Sequence, residues 1–283
     1  MTVKVVTDST SDLPRHVAEE MGITVVPLNV HLGLEVFKDQ VDLTADDFYQ
    51  RLVNDEELPK TSQPSIGDFV AAYERIGGDA DGIVSVHVSD KVSGTLNSAR
   101  QAALQADVSC PIEVHDTLQA SMGVGMVAIE AATAAAEGAG VEQVSSVARD
   151  AIARCECFAL LDTLEYLEKG GRIGKARALL GTLLRLRPLI IVRDGEVQPL
   201  GKERTRQKAI DRLVKTAREF SPLDRMAVLY STTPDEARQI ADSLSDLMIA
   251  DRTPMVVQFG PALGTYVGPN SVGIGLLHSV GNA

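Results

Sequence analysis

Short apolar runs of strand type alternate with longer runs whose apolar positions recur every three to four residues, the helical period. The short runs are KVVT (4–7), ITVVPLNVHL (23–32), GIVSVHV (82–88), IEVHD (112–116), FALLD (158–162), LIIV (189–192), EVQPL (196–200), MAVLYS (226–231), PMVVQFG (254–260) and VGIGLL (272–277). Several are apolar at successive positions, as in strands covered on both faces. The helical runs carry start and stop marks. Ser11-Asp12-Leu13-Pro14 opens a helix ending near Met21-Gly22, and Thr44 to Asp47 is a capping box. Ser65 begins Ser-Ile-Gly-Asp, an N-cap with an acid three positions on, and Pro64 bars any helix from running through it. Thr233-Pro234-Asp235-Glu236 joins an N-cap to a proline at the first helical position. The alanine-rich run over 118–138 reads as a long buried helix ending at Gly138.

Clean strand–helix alternation in the first half predicts an α/β/α lobe around a mostly parallel sheet, over 1–160. The second half differs. LIIVRDGEVQPL reads as two strands around the hairpin turn Asp194-Gly195, and the segment beyond 260 is rich in strand signals and glycine. An α+β lobe with a mixed or antiparallel sheet is therefore expected over 161–283, the boundary falling near 155–165. A segment near 23–40 is a candidate to join the second lobe. A ligand site is expected in the cleft between the two.

Composition narrows the class. The chain has 283 residues, enough to bury a proper core, and no apolar run of membrane-spanning length. No basic region followed by an apolar stretch opens it, so no secretory leader is expected. Cys155 and Cys157 stand too close for an ordinary bridge, and the five histidines are scattered. This favours reduced thiols in a cytoplasmic protein over a metal site. The net charge of −12 is unevenly spread. Residues 169–218 hold 14 of the 27 Lys and Arg and four acids, near +10, which leaves about −22 for the rest. That window is either a docking face for an anionic partner or a set of helix faces whose acidic partners lie elsewhere.

Four segments carry candidate chemistry. GGRIGKA (170–176) fails as a phosphate loop: Lys169 stands where the first glycine belongs and Ala176 where Ser or Thr is required. A helix stop and a tight turn displaying Arg172 and Lys175 fit better. GVGMVA (123–128) lies inside the alanine-rich run, so its glycines suit close helix packing better than a dinucleotide. SDKVSGTLNSAR (89–100) follows a strong strand. Strand, then Ser93-Gly94-Thr95, then helix, aims hydroxyls and backbone N–H groups at an anion, though Ser93 also serves as an ordinary cap. With His87 and Asp90 nearby, Ser93 is also a candidate hydrolase nucleophile, without a Gly-x-Ser-x-Gly elbow. FGPALGTYVGPN (259–270) concentrates glycine and proline around Thr265 and Tyr266, either for close backbone approach to a ligand or as a structural corner.

Six segments in order, TDSTSDL (7–13), KTSQPS (60–65), VSGTLNSA (92–99), DTLQASMGVG (116–125), LDTLEYLEKGGRIGK (161–175) and GPALGTYVGP (260–269), resemble the DegV family of bacterial fatty-acid-binding proteins, which serve fatty acid kinase. The resemblance spans nearly the whole chain. It implies a two-lobe protein, itself no catalyst, that needs no cofactor or metal and encloses a long-chain fatty acid between its lobes. The carboxylate would be held by two hydroxyl-bearing loops, with Thr61 and Ser62 on one and Ser93, Gly94 and Thr95 on the other. Thr265 and Tyr266 would be its neighbours. A separate ATP-dependent kinase would convert the acid to the acyl phosphate for phospholipid synthesis. The protein would be a cytoplasmic monomer touching membranes only transiently. One position departs from the family. Its last glycine loop usually reads Gly-Thr-His, whereas this chain has Gly264-Thr265-Tyr266, and tyrosine carries no positive charge near neutral pH. Arg172, with Lys202, Arg204, Arg206 and Lys208 of the basic window, is the candidate surface for the kinase. No aromatic residue interleaves the basic ones there to stack bases, which argues against nucleic acid as the partner.

Overall fold

The computed structural model describes residues 1–54, 57–182, 186–249 and 252–279. The chain opens with β1 (Val3–Asp8), α1 (Arg15–Glu20), β2 (Ile23–Val26) and a hairpin of β3 (Asn29–Leu32) and β4 (Glu35–Lys38). Then come α2 (Ala45–Asn54), the short β5 (Lys60–Ser62), α3 (Ile66–Gly77), β6 (Gly82–His87), α4 (Thr95–Ala103) and β7 (Ile112–Asp116). Two long helices, α5 (Met122–Ala136) and α6 (Val141–Arg154), lead into β8 (Cys155–Leu160) and the short α7 (Glu165–Lys169). After a 3-10 segment at Gly174–Thr182 come β9 (Arg187–Arg193), β10 (Glu196–Glu203), α8 (Arg206–Arg218), β11 (Leu223–Tyr230) and α9 (Pro234–Ser243). The last described elements are β12 (Met255–Gln258), α10 (Pro261–Val267) and β13 (Val272–His278).

The fold is α/β, with a parallel sheet in the N-terminal part and a mixed sheet in the C-terminal part. The first sheet runs β2-β1-β6-β7, all parallel. Its apolar residues alternate between faces, as the two-residue strand period requires. Val6 and Ile83 pack with Phe69 and Tyr73 of α3 and Ala99 of α4, while Val5, Val84 and Val86 face α5 and α6. The second sheet runs β10-β9-β8-β13-β11-β12, antiparallel except between β11 and β12. β8, at the expected boundary, pairs on both sides within it. One face of this sheet, including Leu160, Leu189 and Ile191, packs under α8 and α9. The other presents Ala159, Ile190 and Val197 toward the Gly174–Thr182 segment.

α5 lies between the two sheets, with 11 of its 15 residues buried. A Cβ on Gly125 would stand 2.8 Å from the Ser11 carbonyl oxygen, and one on Gly275 of β13 would stand 2.9 Å from Met122 Cβ. The glycines of GVGMVA therefore serve close packing, and the dinucleotide alternative falls away.

Two sequence expectations need correction. The run 23–32 is not one strand. Pro27 has no N–H for a ladder, and beyond it the chain leaves the parallel sheet. β3 instead joins a separate three-stranded antiparallel sheet, β4-β3-β5. Its edge is Lys60–Ser62, so Thr61 and Ser62 lie on a short strand and not on a loop. Likewise, the glycine-rich stretch around Thr265 forms α10, started by Pro261, where the missing N–H has no helical partner to lose.

Candidate ligand-binding site

In the parallel sheet the strand order turns between β1 and β6, and ligands of open α/β sheets sit outside the carboxyl ends of strands at such a point. A cavity of about 950 Å3, mouth included, lies there, lined by Thr10 after β1 and by Val88, Val92 and Ser93 after β6. Its opposite wall is the second sheet, through Cys157, Ala159, Ile190, Val192 and Val197. α10 closes a third side with Ala262, Leu263, Tyr266 and Val267. Most of this lining is apolar. Burial pushes the Cys157 thiol up to about 12, so that side chain too is an uncharged wall.

The polar members, apart from Thr10 and Ser121, form one connected cluster. Thr61 Oγ1 lies 2.6 Å from the Tyr266 hydroxyl. The Tyr266 ring fits because residue 170 is glycine: a Cβ there would stand 2.6 Å from Tyr266 Cδ1. Over that ring, 5.2 Å from its centroid, lies the Arg172 guanidinium. Arg172 Nε donates to the Val92 carbonyl at 3.1 Å and Nη1 to that of Gly170 at 2.8 Å. Ser93 Oγ is 2.8 Å from Thr95 Oγ1 and accepts from the Thr95 N–H at 3.3 Å. Gly94 is the N-cap of α4 without a side-chain cap, and a Cβ on it would meet the Gln63 amide at 2.9 Å. Ser93 is thus not the helix cap that sequence suggested. The start of α4 and these hydroxyls form one uncharged donor set beside a single guanidinium.

Two buried carboxylates fix α10. Asp12 accepts from the Gly260 N–H at 2.9 Å and from Ser121 Oγ at 2.6 Å, while Asp39 accepts from the Ala262 N–H at 3.1 Å. Desolvation holds both carboxyls above the usual carboxylate range, Asp39 at about 7, against the lowering effect of those donors.

A family model described as "Uncharacterised protein, DegV family" matches residues 2–279. The chain belongs to the DegV family. It is 34% identical to a DegV domain-containing protein of Clostridium perfringens, across 97% of this chain and 98% of that one. It is similar to the solved structure entitled "Fatty Acid Binding of a DegV family Protein from Thermus thermophilus", with TM-score 0.91 and 33% identity over 99% of this chain and 100% of that chain. It is also similar to a fatty acid (stearic acid)-binding protein from Eubacterium ventriosum, with TM-score 0.88 and 27% identity over 98% of each chain. These relatives are described as lipid binders rather than catalysts.

Against that family frame, Thr61 and Ser93 of this DegV chain share the cavity lining with Tyr266 and Arg172. Ser62 does not line it. Its hydroxyl lies 3.0 Å from His31 Nε2 and accepts from Asn29 Nδ2 at 3.3 Å. Thr265 is buried and donates to the Pro261 carbonyl at 3.0 Å. Arg172 was expected on a displayed turn. The turn exists, with Gly171 at φ +73°, but the side chain folds back into the cavity wall. Gln63 also lines the cavity and was not among the expected ligands. Its signal in sequence was the amide between Ser62 and Pro64.

The hydrolase alternative loses its base. His87 is fully buried, with Nδ1 2.8 Å from Asp8 and Nε2 2.7 Å from Ser85, whose hydroxyl in turn meets Tyr73 at 2.9 Å. That chain ties β1, β6 and α3 together, and Ser93 is no part of it. The basic window is largely neutralised as well. Lys175, Arg177, Arg187, Arg193, Arg206, Arg212 and Arg218 each pair with a carboxylate. Arg204 and Lys208 are exposed and enter no ion pair among the described residues.

Proposed function

We propose that this chain binds one long-chain fatty acid, with the tail in the apolar cavity and the carboxylate at its polar end. Thr61, Ser93, Thr95 and the backbone at Gly94 supply donors, with Tyr266 and Arg172 beside them. Ser62 and Thr265 brace the strand and helix behind. The observation that carries this reading is the composition of the cavity: an apolar interior sized for a lipid, with hydroxyls, an amide and a guanidinium gathered on connected segments. Removing a tail from water contributes roughly 0.8 kcal/mol per methylene. A buried carboxylate must be given hydrogen bonds or it takes up a proton instead. The fatty-acid-binding relatives support the same ligand class.

In this reading the protein is a cytoplasmic monomer that presents the acid to a separate ATP-dependent kinase, and exposed Arg204 belongs to the docking surface. Mainly neutral donors suit that task, because a bidentate arginine pair would make the carboxylate a poorer nucleophile. Native mass spectrometry of the purified protein tests the binding claim. An adduct of long-chain fatty-acid mass, exchangeable for added acid, is the expected result. A bare chain that takes up no added acid refutes it.

A further inference from the structure

A second cavity lies against the polar end of the first. It encloses about 640 Å3 with its mouth, and its lining includes Lys60, Lys169 and Arg172 but no carboxylate. Thr61, Arg172 and Tyr266 belong to both linings, so the Thr61–Tyr266 hydrogen bond stands in the partition between the two spaces.

The cations of this outer chamber are under-used. Arg172 spends Nε and Nη1 on backbone carbonyls, and Nη2 has no partner among the described residues. Lys60 is exposed and makes no ion pair among them. Lys169 pairs with Glu165, but both side chains are more than half exposed, so water screens that pair and it can rearrange. A concave space with excess positive charge and hydroxyl walls attracts anions. A fatty acid carboxylate met by the inner cluster leaves these groups idle. Their number fits a tetrahedral dianion with three strong acceptor oxygens.

We infer that the outer chamber is a phosphoryl subsite, holding a phosphate group one step beyond the carboxylate position. The inference rests on the fatty-acid reading for the occupant of the inner cavity. Two sources share this chemistry: a phosphorylated head on the lipid itself, or a free phosphate.

The test compares hexadecanoate with hexadecylphosphonate on delipidated protein, in wild type and Lys60→Ala. The subsite predicts that Lys60→Ala weakens the phosphonate at least fivefold and leaves hexadecanoate within twofold. The wild-type preference for phosphonate should also shrink as salt rises. In a second arm, inorganic phosphate is titrated into hexadecanoate-loaded protein and followed by 31P line broadening. Broadening that Lys60→Ala abolishes identifies free phosphate as an occupant, whereas a phosphonate effect alone assigns the site to the lipid head. Equal changes for both lipids, or none, with no broadening, overturn the inference. If wild type binds neither lipid, the fatty-acid reading fails, and the phosphate arm still decides the chamber.

Discussion

Thr61 and Ser62 are neighbours in sequence, yet they face opposite sides of β5 and should behave differently when altered. Thr61 stands opposite Val30 and reaches Tyr266 at the cavity, while Ser62 stands opposite Asn29 and bonds Asn29 and His31. Thr61→Val keeps the shape and the strand preference of the side chain and removes only the hydroxyl. A hydrogen bond to a charged group contributes about 1.5–3 kcal/mol, which is roughly a 10- to 150-fold change in affinity. The Tyr266 hydroxyl stays in reach of the same carboxylate and recovers part of that loss, so the lower end, about tenfold, is expected. Ser62→Ala should change affinity less than about threefold and instead cost about 1 kcal/mol of stability, through the unpaired groups on β3. Calorimetric titration of delipidated protein with a long-chain fatty acid reads the first quantity, and urea unfolding the second. Equal losses of affinity in the two variants, or a larger one in Ser62→Ala, would refute the placement of the carboxylate at Thr61.

Gly264→Ala should destabilise the protein by about 1–2 kcal/mol in urea unfolding, because overpacking costs roughly 1–3 kcal/mol and better helix propensity returns at most about 1. The new Cβ would stand 2.6 Å from Phe48 Cε1 and 2.8 Å from the Tyr49 hydroxyl, both in buried residues, so unchanged or raised stability would contradict that contact. Asp39→Asn tests the buried carboxyl behind α10, whose value is raised from 3.8 to about 7. Between those values the folded protein keeps a proton that the unfolded chain has released, so this group's stabilisation falls as pH rises from about 4 through 7, by at most about 4 kcal/mol. The variant should therefore gain on wild type between pH 4.5 and pH 8 in denaturant unfolding, and a pH-independent difference would refute the raised value.

Local features were legible in sequence because local physics makes them. The capping boxes at Thr44–Asp47 and Ser65–Asp68 form with their reciprocal bonds. Asp194 and Gly195 take φ of 53° and 77° at the hairpin between β9 and β10. Thr233 is a partial case: α9 begins there with Pro234 in its first turn, but the Thr233 hydroxyl makes no cap. What sequence could not place depends on contacts between distant segments. The β4-β3-β5 sheet pairs residues about thirty positions apart, the Arg172–Val92 bond spans 80 positions, and the Thr61–Tyr266 bond spans 205. Periodicity says which face of an element is apolar, not which distant segment it meets. For that reason the hydroxyl residues could be named as ligands while the division between Thr61 and Ser62, and the inward turn of Arg172, could not.

Tyr266 is the position where this chain departs from the histidine usual in its family, and the geometry shows what the change requires. A histidine at this point would bring a charge that comes and goes near neutral pH. A tyrosine ring brings none, but it offers a flat face, and Arg172 lies on that face with two of its nitrogens fixed to backbone carbonyls. The guanidinium stays charged at every relevant pH. Gly170 is part of the same arrangement, since any side chain there would push the Tyr266 ring off Thr61 and from under Arg172. Positive charge at the polar end is thus supplied by a neighbour held in place by the ring, while the Tyr266 hydroxyl closes the partition through Thr61. The sequence change alone suggests a lost cation. The packing shows a permanent cation stacked on the residue that carries the change.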